Sequence, residues 1–342
     1  MRNPFIHVLL TIALAGGCRG YYKERNPDRD SDTTSKIDSA SDTGPTVDTD
    51  TDTTTSDTGP FATPYECSLP PVPTSWDYLP WVPASEEFQF DALGNLVNID
   101  EVAGWIFQTP FGGPANLIAP YNATEIAAIR FMLDGDLAVA DEESGALRRV
   151  GLDGSQTTIL GGLNNPNSVT VHSDGHVFTT AFDEVYRVDA ATGVNTRMFR
   201  LPGADLDGLV FSPDFTRLYF NSDETGLVGA IDIDANGVPG NPFTLTYLSL
   251  GWDDQLDGQA VDSCGNIYVI RTDGRLFRLR PDQTVESLIQ LSIQGGLKTT
   301  SLHFGSGVGG WELDHLYVMN REGGMFDLDI GIDGSPPAHL LP

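Results

Sequence analysis

From Gly258 to Ser263 the side chains alternate toward a strand, and Cys264-Gly265-Asn266 makes a turn. Ile267-Tyr268-Val269-Ile270-Arg271 then reads as a second, largely apolar strand. Thr272-Asp273-Gly274 turns the chain into a third, Arg275 to Arg280, and after Pro281-Asp282 a fourth runs from Val285 to Leu291. The Gly, Asp and Asn at the turns supply the backbone conformations that tight hairpins require. The same unit recurs along the chain. Its second strand begins at Leu96, Leu137, Val177, Leu218, Ile267 and Leu316, positions 41, 40, 41, 49 and 49 residues apart. A period of roughly 40–50 residues in a strand-rich chain marks propeller blades. No segment carries helical periodicity, and a β-sandwich does not account for the period. The sequence therefore predicts an all-β fold, a six-bladed β-propeller of four-stranded antiparallel blades over residues 85–342.

Such a ring brings one position of every blade to a common axis. The first strand of each blade holds an apolar anchor: Phe90, Phe131, Val171, Phe211, Val261 and Phe304. Four residues before the anchors stand Glu86, Ala127, Asn167, Asp207, Asp257 and Thr300. Innermost strands line the channel, so these six are expected to meet at one mouth. Singly, Asp, Asn or Glu at a strand start serves most often to cap a turn. Three carboxylates and an amide in one register instead repel one another unless positive charge lies among them. An all-oxygen set of this kind suits a hard divalent cation, calcium first, with magnesium, manganese or zinc as alternatives. Glu86, Asp207, Asp257 and Asn167 are the expected ligands.

The charge balance narrows the partners. The chain carries 48 Asp and Glu against 19 Lys and Arg, a formal net charge of −29. After residue 60 there remain 38 acids and 13 bases, so the acidity belongs to the repeats. Such a surface repels nucleic acid and favours cations.

Arg2 followed by the apolar stretch Pro4 to Ala15 reads as an export signal, too short for a mature membrane span. It ends in Leu14-Ala15-Gly16-Gly17-Cys18, which resembles a bacterial lipobox and implies lipidation of Cys18. Leu14 sits one place further from the cysteine than usual, so simple secretion stays open. Arg19 is not the Asp that retains lipoproteins at the inner membrane, and the expected location is the cell envelope, at the outer membrane. Residues 1–17 are thus a signal peptide. Residues 18–60 are a lipidated cysteine and a tether rich in Asp, Thr and Ser, with too little apolar surface to fold. Residues 61–84 lead into the ring. Beyond Cys18 the chain has Cys67 and Cys264, which pair in an oxidising compartment or stand as two buried thiols.

Several blades resemble those of the regucalcin/gluconolactonase (luciferin-regenerating enzyme-like) family. Asp257-Gly258-Gln259-Ala260-Val261-Asp262 with Gly265-Asn266-Ile267-Tyr268-Val269 is similar to its "DG" blade. Gly208-Leu209-Val210-Phe211-Ser212-Pro213-Asp214 with Leu218-Tyr219 is similar to its "NGL…FSPD…LY" blade. Thr300-Ser301-Leu302-His303-Phe304-Gly305 with Leu316-Tyr317-Val318 resembles its "TS…FG…LYV" blade. The resemblance implies a six-bladed propeller with one divalent cation, held at Glu86, Asp207 and Asp257, that hydrolyses a lactone. It implies a water- or substrate-facing role for Asn167. If the site is catalytic, Asp257 is the expected general base, with Asp207 as the alternative. Two positions depart from the pattern: Asp207 stands where the family has Asn, and Ser168 where it has Asp. Asn165 stands where some members have an Arg.

The expected function is envelope-anchored hydrolysis of a lactone or related ester; the alternative is a non-catalytic binding propeller whose metal is structural or absent. The expected partners are the small-molecule lactone or ester and the lipid anchor, and the chain is expected to act as a monomer. Other motifs carry less. Gly305, Gly307 and Gly310 match G-x-G-x-x-G without the strand–helix context that gives it meaning. Asp232, Asp234, Asn236 and Gly237 open like an EF-hand, but Phe243 takes the place of the closing Glu. His172 and His303 have no second histidine at metal spacing and read as core or channel residues.

Overall fold

A computed structural model describes residues 67–68, 70–100, 104–121, 125–250, 254–293 and 297–341. The signal peptide, Cys18 and the tether lie outside them. Six four-stranded antiparallel sheets make up the fold. Their innermost strands are Phe88–Phe90, Ile126–Phe131, Val169–Val171, Leu206–Phe211, Leu256–Val261 and Thr299–Phe304. Among the described residues helical backbone is confined to Cys67, Ser68 and the short 3-10 turn Ala338–Leu340. In the fifth blade the strands are Leu256–Val261, Ile267–Arg271, Arg275–Leu279 and Val285–Gln290. The innermost strand begins two residues earlier than the alternation indicates, because a bulge at Asp257-Gly258 interrupts the period of two.

The core is a ring of six wedges. Each apolar cluster lies between two neighbouring blades: Val97, Ile106, Ile129 and Val139 join the first and second, and Phe178, Val185, Phe211 and Phe220 the third and fourth. Alternation along each strand explains this, since one face of a blade packs on the blade before it and the other on the blade after. Burial falls off outward. The second strand of the second blade, Leu137–Asp141, is wholly buried, whereas its fourth, Gln156–Gly161, has no buried residue.

Ring closure uses the lead-in segment. Asp77–Leu79 pairs with Met325–Asp329 as the outermost strand of the sixth blade, with Tyr78 opposite Phe326. The Tyr78 hydroxyl donates to the Gly323 carbonyl at 2.7 Å, and its ring lies 5.4 Å from Phe326. Just upstream, the buried Arg278 guanidinium donates to the carbonyls of Pro71 (2.6 Å) and Pro70 (3.3 Å). Cys67 and Cys264 form a disulfide that pins the start of this segment to the fifth blade. The bridge spans 197 residues, so it removes much of the unfolded chain's freedom. Cys264→Ser is expected to cost about 2–4 kcal/mol. A calorimetric scan checks this: a clear drop in Tm that reductant reproduces in the wild type. An unchanged Tm would show that strand pairing alone closes the ring.

Candidate axial site

In three successive blades the innermost strand leaves its ladder at the same place. Leu206 pairs with Ser222 and Leu209 with Phe220; Leu256 pairs with Arg271 and Gln259 with Val269; Thr299 pairs with Asn320 and Leu302 with Val318. The two residues between each couple, Asp207-Gly208, Asp257-Gly258 and Thr300-Ser301, form a bulge. Bulges re-aim side chains, and the first residues of the three couples are Asp207, Asp257 and Thr300.

The glycines follow from close approach. A Cβ on Gly258 would stand 2.8 Å from the Ser301 Cα and 2.9 Å from the Thr300 carbonyl. One on Gly208 would meet the Asn221 side chain at 2.8 Å. That asparagine is fully buried and joins the two bulges: its carbonyl accepts from the Gly208 N–H at 3.0 Å, and its amide donates to the Asp257 carbonyl at 2.6 Å. Gln259 donates to the carbonyls of Gly208 (2.8 Å) and Tyr219 (2.9 Å). From the third blade, Ser168 accepts the Leu209 N–H at 3.0 Å, while the Asn167 and Ser168 N–H groups donate to Thr180 Oγ1. Ser168 thus ties the Asn167 turn to the strand that carries Asp207.

Glu86, Asp207 and Asp257 come together as the register predicts. Loss of hydration pushes the Asp207 carboxyl well above the ordinary carboxylate range, and the charges of Asp223 and Glu86 push it further. Asp257 is raised in the same way by lost hydration, then by Asp207 and Glu86, with Lys298 opposing. Asp207 feels Glu86, and Asp257 feels both, so the three share one neighbourhood. All three, and Asn167, keep part of their surface open to solvent. Asp223 stands beside them, its carboxyl raised to about 7 by burial and by Asp205 and Glu224. Ala127, the axial residue of the second blade, offers no oxygen.

Two cations at this mouth escaped the sequence reading. Arg321 Nε lies 2.7 Å from the Glu86 carboxylate, and Lys298 is the positive neighbour of Asp257. Neither belongs to the repeated column, so periodicity cannot find them. Asn221 did carry a signal, as an amide directly after the apolar run Leu218-Tyr219-Phe220 and still within the second strand.

Below the acids the channel holds a buried polar network. Glu87 accepts from Arg130 Nη1 at 2.7 Å and lies 2.8 Å from His303 Nε2, which is 2.9 Å from Gln89 Nε2. Burial by itself would raise the Glu87 carboxyl, but Arg130 and His303 outweigh it and hold it at about 2. His303 is thus a channel residue, and burial pushes its imidazole below the ordinary range. At the far end lies a cavity of about 80 Å³, lined by the six anchors and closed by Ser335 to Leu340. His339 holds the closing segment in place, 2.8 Å from the Phe90 carbonyl and with its ring tilted against Phe131 at 5.0 Å. The acid mouth and this cavity are separate features. Also away from the acid mouth, Glu312, Asp314 and His315 gather on the sixth blade's first hairpin, where His315 pairs with Glu312 and Asp327.

Residues 179–321 match the family described as "SMP-30/Gluconolactonase/LRE-like region". That stretch contains Asp207 and Asp257 and leaves Glu86 and Asn167 outside. A 6-deoxy-6-sulfogluconolactonase of Pseudomonas putida is 33% identical over 113 residues, which cover 33% of this chain and 36% of that protein. The chain therefore matches about a third of the length of this relative. A gluconolactonase structure from Xanthomonas campestris superposes with a TM-score of 0.62 at 19% identity, covering 77% of this chain and 95% of that one. A calcium-binding regucalcin from Agrobacterium tumefaciens superposes with a TM-score of 0.58 at 19% identity, over 76% of this chain and 94% of that one. At such identities the superpositions establish the shared fold alone. The chain is thus similar to the SMP-30/gluconolactonase/LRE-like family over residues 179–321 and shares a propeller fold with these solved structures.

Proposed function

We propose that the protein hydrolyses a lactone or related ester at the axial mouth, where Glu86, Asn167, Asp207 and Asp257 hold a divalent cation, calcium in the first place. One observation carries this reading: three carboxylates are drawn together where burial, and then one another's charge, make two of them resist ionisation. Arg321 and Lys298 offset only part of that repulsion. A hard cation matches the all-oxygen donor set, and the acids keep the solvent access that an ion and a substrate need. The gluconolactonase and sulfogluconolactonase relatives support a lactone as the substrate class, and the calcium-binding relative supports the ion.

A divalent ion at such a site supplies positive charge to a carbonyl oxygen and acidifies water. The chain supplies the rest. Asp257 takes a proton from water as general base while the water oxygen bonds to the carbonyl carbon. The ring C–O bond breaks, and the same proton passes from Asp257 to the leaving oxygen, giving a hydroxy acid. Asn167 orients water or substrate through its amide. Asn221 and Gln259 keep Asp257 in place by tying its bulge to the neighbouring one at Gly208. The test is turnover of a lactone panel by the full chain, before and after chelator treatment. Turnover that chelator abolishes and calcium restores is expected. Cation binding without turnover of any lactone would leave a non-catalytic binding propeller.

We also propose that the enzyme works at the bacterial cell envelope, tethered through lipidated Cys18 and the acidic segment after it. The Cys67–Cys264 disulfide agrees with an oxidising compartment. Growth with a clickable fatty acid should label the wild type and not Cys18→Ser. Equal labelling of both would overturn the anchor.

A further inference from the structure

We infer that the Thr300 hydroxyl is a further oxygen donor to the axial cation, contributed by the sixth blade. The inference rests on reading the axial acids as a cation site. Thr300 occupies the same place in its bulge as Asp207 and Asp257 do in theirs. The flanking pairs, Thr299 with Asn320 and Leu302 with Val318, repeat the spacing seen in the fourth and fifth blades. The three bulges lie side by side: a Cβ on Gly208 would stand 3.1 Å from the Asp257 carbonyl, and one on Gly258 2.9 Å from the Thr300 carbonyl.

Thr300 is fully buried, and its Oγ1 has no hydrogen-bond partner among the described residues. The preceding residue makes the contrast. Thr299 is equally buried, yet its hydroxyl donates to the Arg271 carbonyl at 2.7 Å. The fold provides a partner for one threonine hydroxyl and none for the other. Buried hydroxyls are ordinarily satisfied, so this one calls for a partner from outside the chain.

The donor count agrees. Hard cations of calcium's size take six to eight oxygens. Five of the six axial positions then offer one: Glu86, Asn167, Asp207, Asp257 and Thr300. Ala127 alone does not, which leaves the second blade's side of the ring for water or a substrate oxygen.

Thr300→Val keeps the shape and removes the oxygen. Calcium is titrated calorimetrically into chelator-treated full chain, wild type and variant, and Tm is recorded without calcium. The expected result is a loss of calcium affinity on the order of tenfold, with a calcium-free Tm equal to or above that of the wild type. Thr300→Ser should bind nearly as the wild type does. Wild-type affinity in Thr300→Val would overturn the inference and leave the axial site standing. So would a calcium-free Tm several degrees lower, which would reveal a structural hydrogen bond. A wild type that takes up no calcium would overturn the axial reading along with it.

Discussion

Asp257→Ala is expected to lower lactone turnover by about 10²–10⁴-fold while leaving the calcium-free protein as stable as the wild type, or more so. The first half follows from its proposed role, since a positioned general base contributes that much. The second half follows from the charge distribution. Without a counter-ion, Asp257 is poorly hydrated and faces Asp207 and Glu86, so its removal relieves repulsion. Most damaging substitutions lower activity and stability together; here the two should move apart. Asp257→Asn, which keeps the shape and discards the charge, should behave alike. Steady-state kinetics beside thermal scans in chelator give the comparison. Full turnover in Asp257→Ala would remove the residue from the mechanism. A large drop in Tm would make it a structural carboxylate.

Arg130→Met should destabilise the protein by about 3–5 kcal/mol near neutral pH, because it strands the buried Glu87 charge without its main partner. The pH dependence provides a check on cause. In the folded wild type Glu87 titrates at about 2, below its ordinary 4.5. A carboxyl lowered by folding stabilises above its unfolded pKa, and that contribution is lost as pH falls toward the folded value. The Glu87 contribution is therefore complete above pH of about 4.5 and declines toward about 2. Once Arg130 is gone, burial favours the protonated acid, so the variant suffers less from acid than the wild type does. Urea unfolding at pH 7 and at pH 3 should show a wide gap that narrows. A gap that stays constant would mean that packing of the Arg130 side chain, and not its charge, matters.

What could be read from the sequence was whatever repeats. The six second strands and the anchor column recur once per blade, so their period and register survive without any knowledge of the fold. Glu86, Asp207 and Asp257 were found by that register, and the structure brings them together. Ring closure could not be read, because Asp77–Leu79 is three residues long and pairs with a strand at the other end of the fold. The channel network was hidden for a different reason. Glu86 and Glu87 are neighbours, and only the bonds to Arg130 and His303 show that one belongs to the mouth and the other to the channel below. Arg321 depends on the ring as well: it meets Glu86 because the sixth blade closes on the first. Thr300 was in the column from the start. What marks it is a hydroxyl that the fold leaves unsatisfied, which composition cannot reveal.

The central claim is that the axial oxygens bind a divalent cation, and calorimetric titration of calcium into the chelator-treated full chain at pH 7.5 tests it most directly. The account predicts one calcium per chain, with affinity greatly weakened by Asp257→Ala. No binding heat and no rise in Tm with calcium, magnesium, manganese or zinc would contradict it.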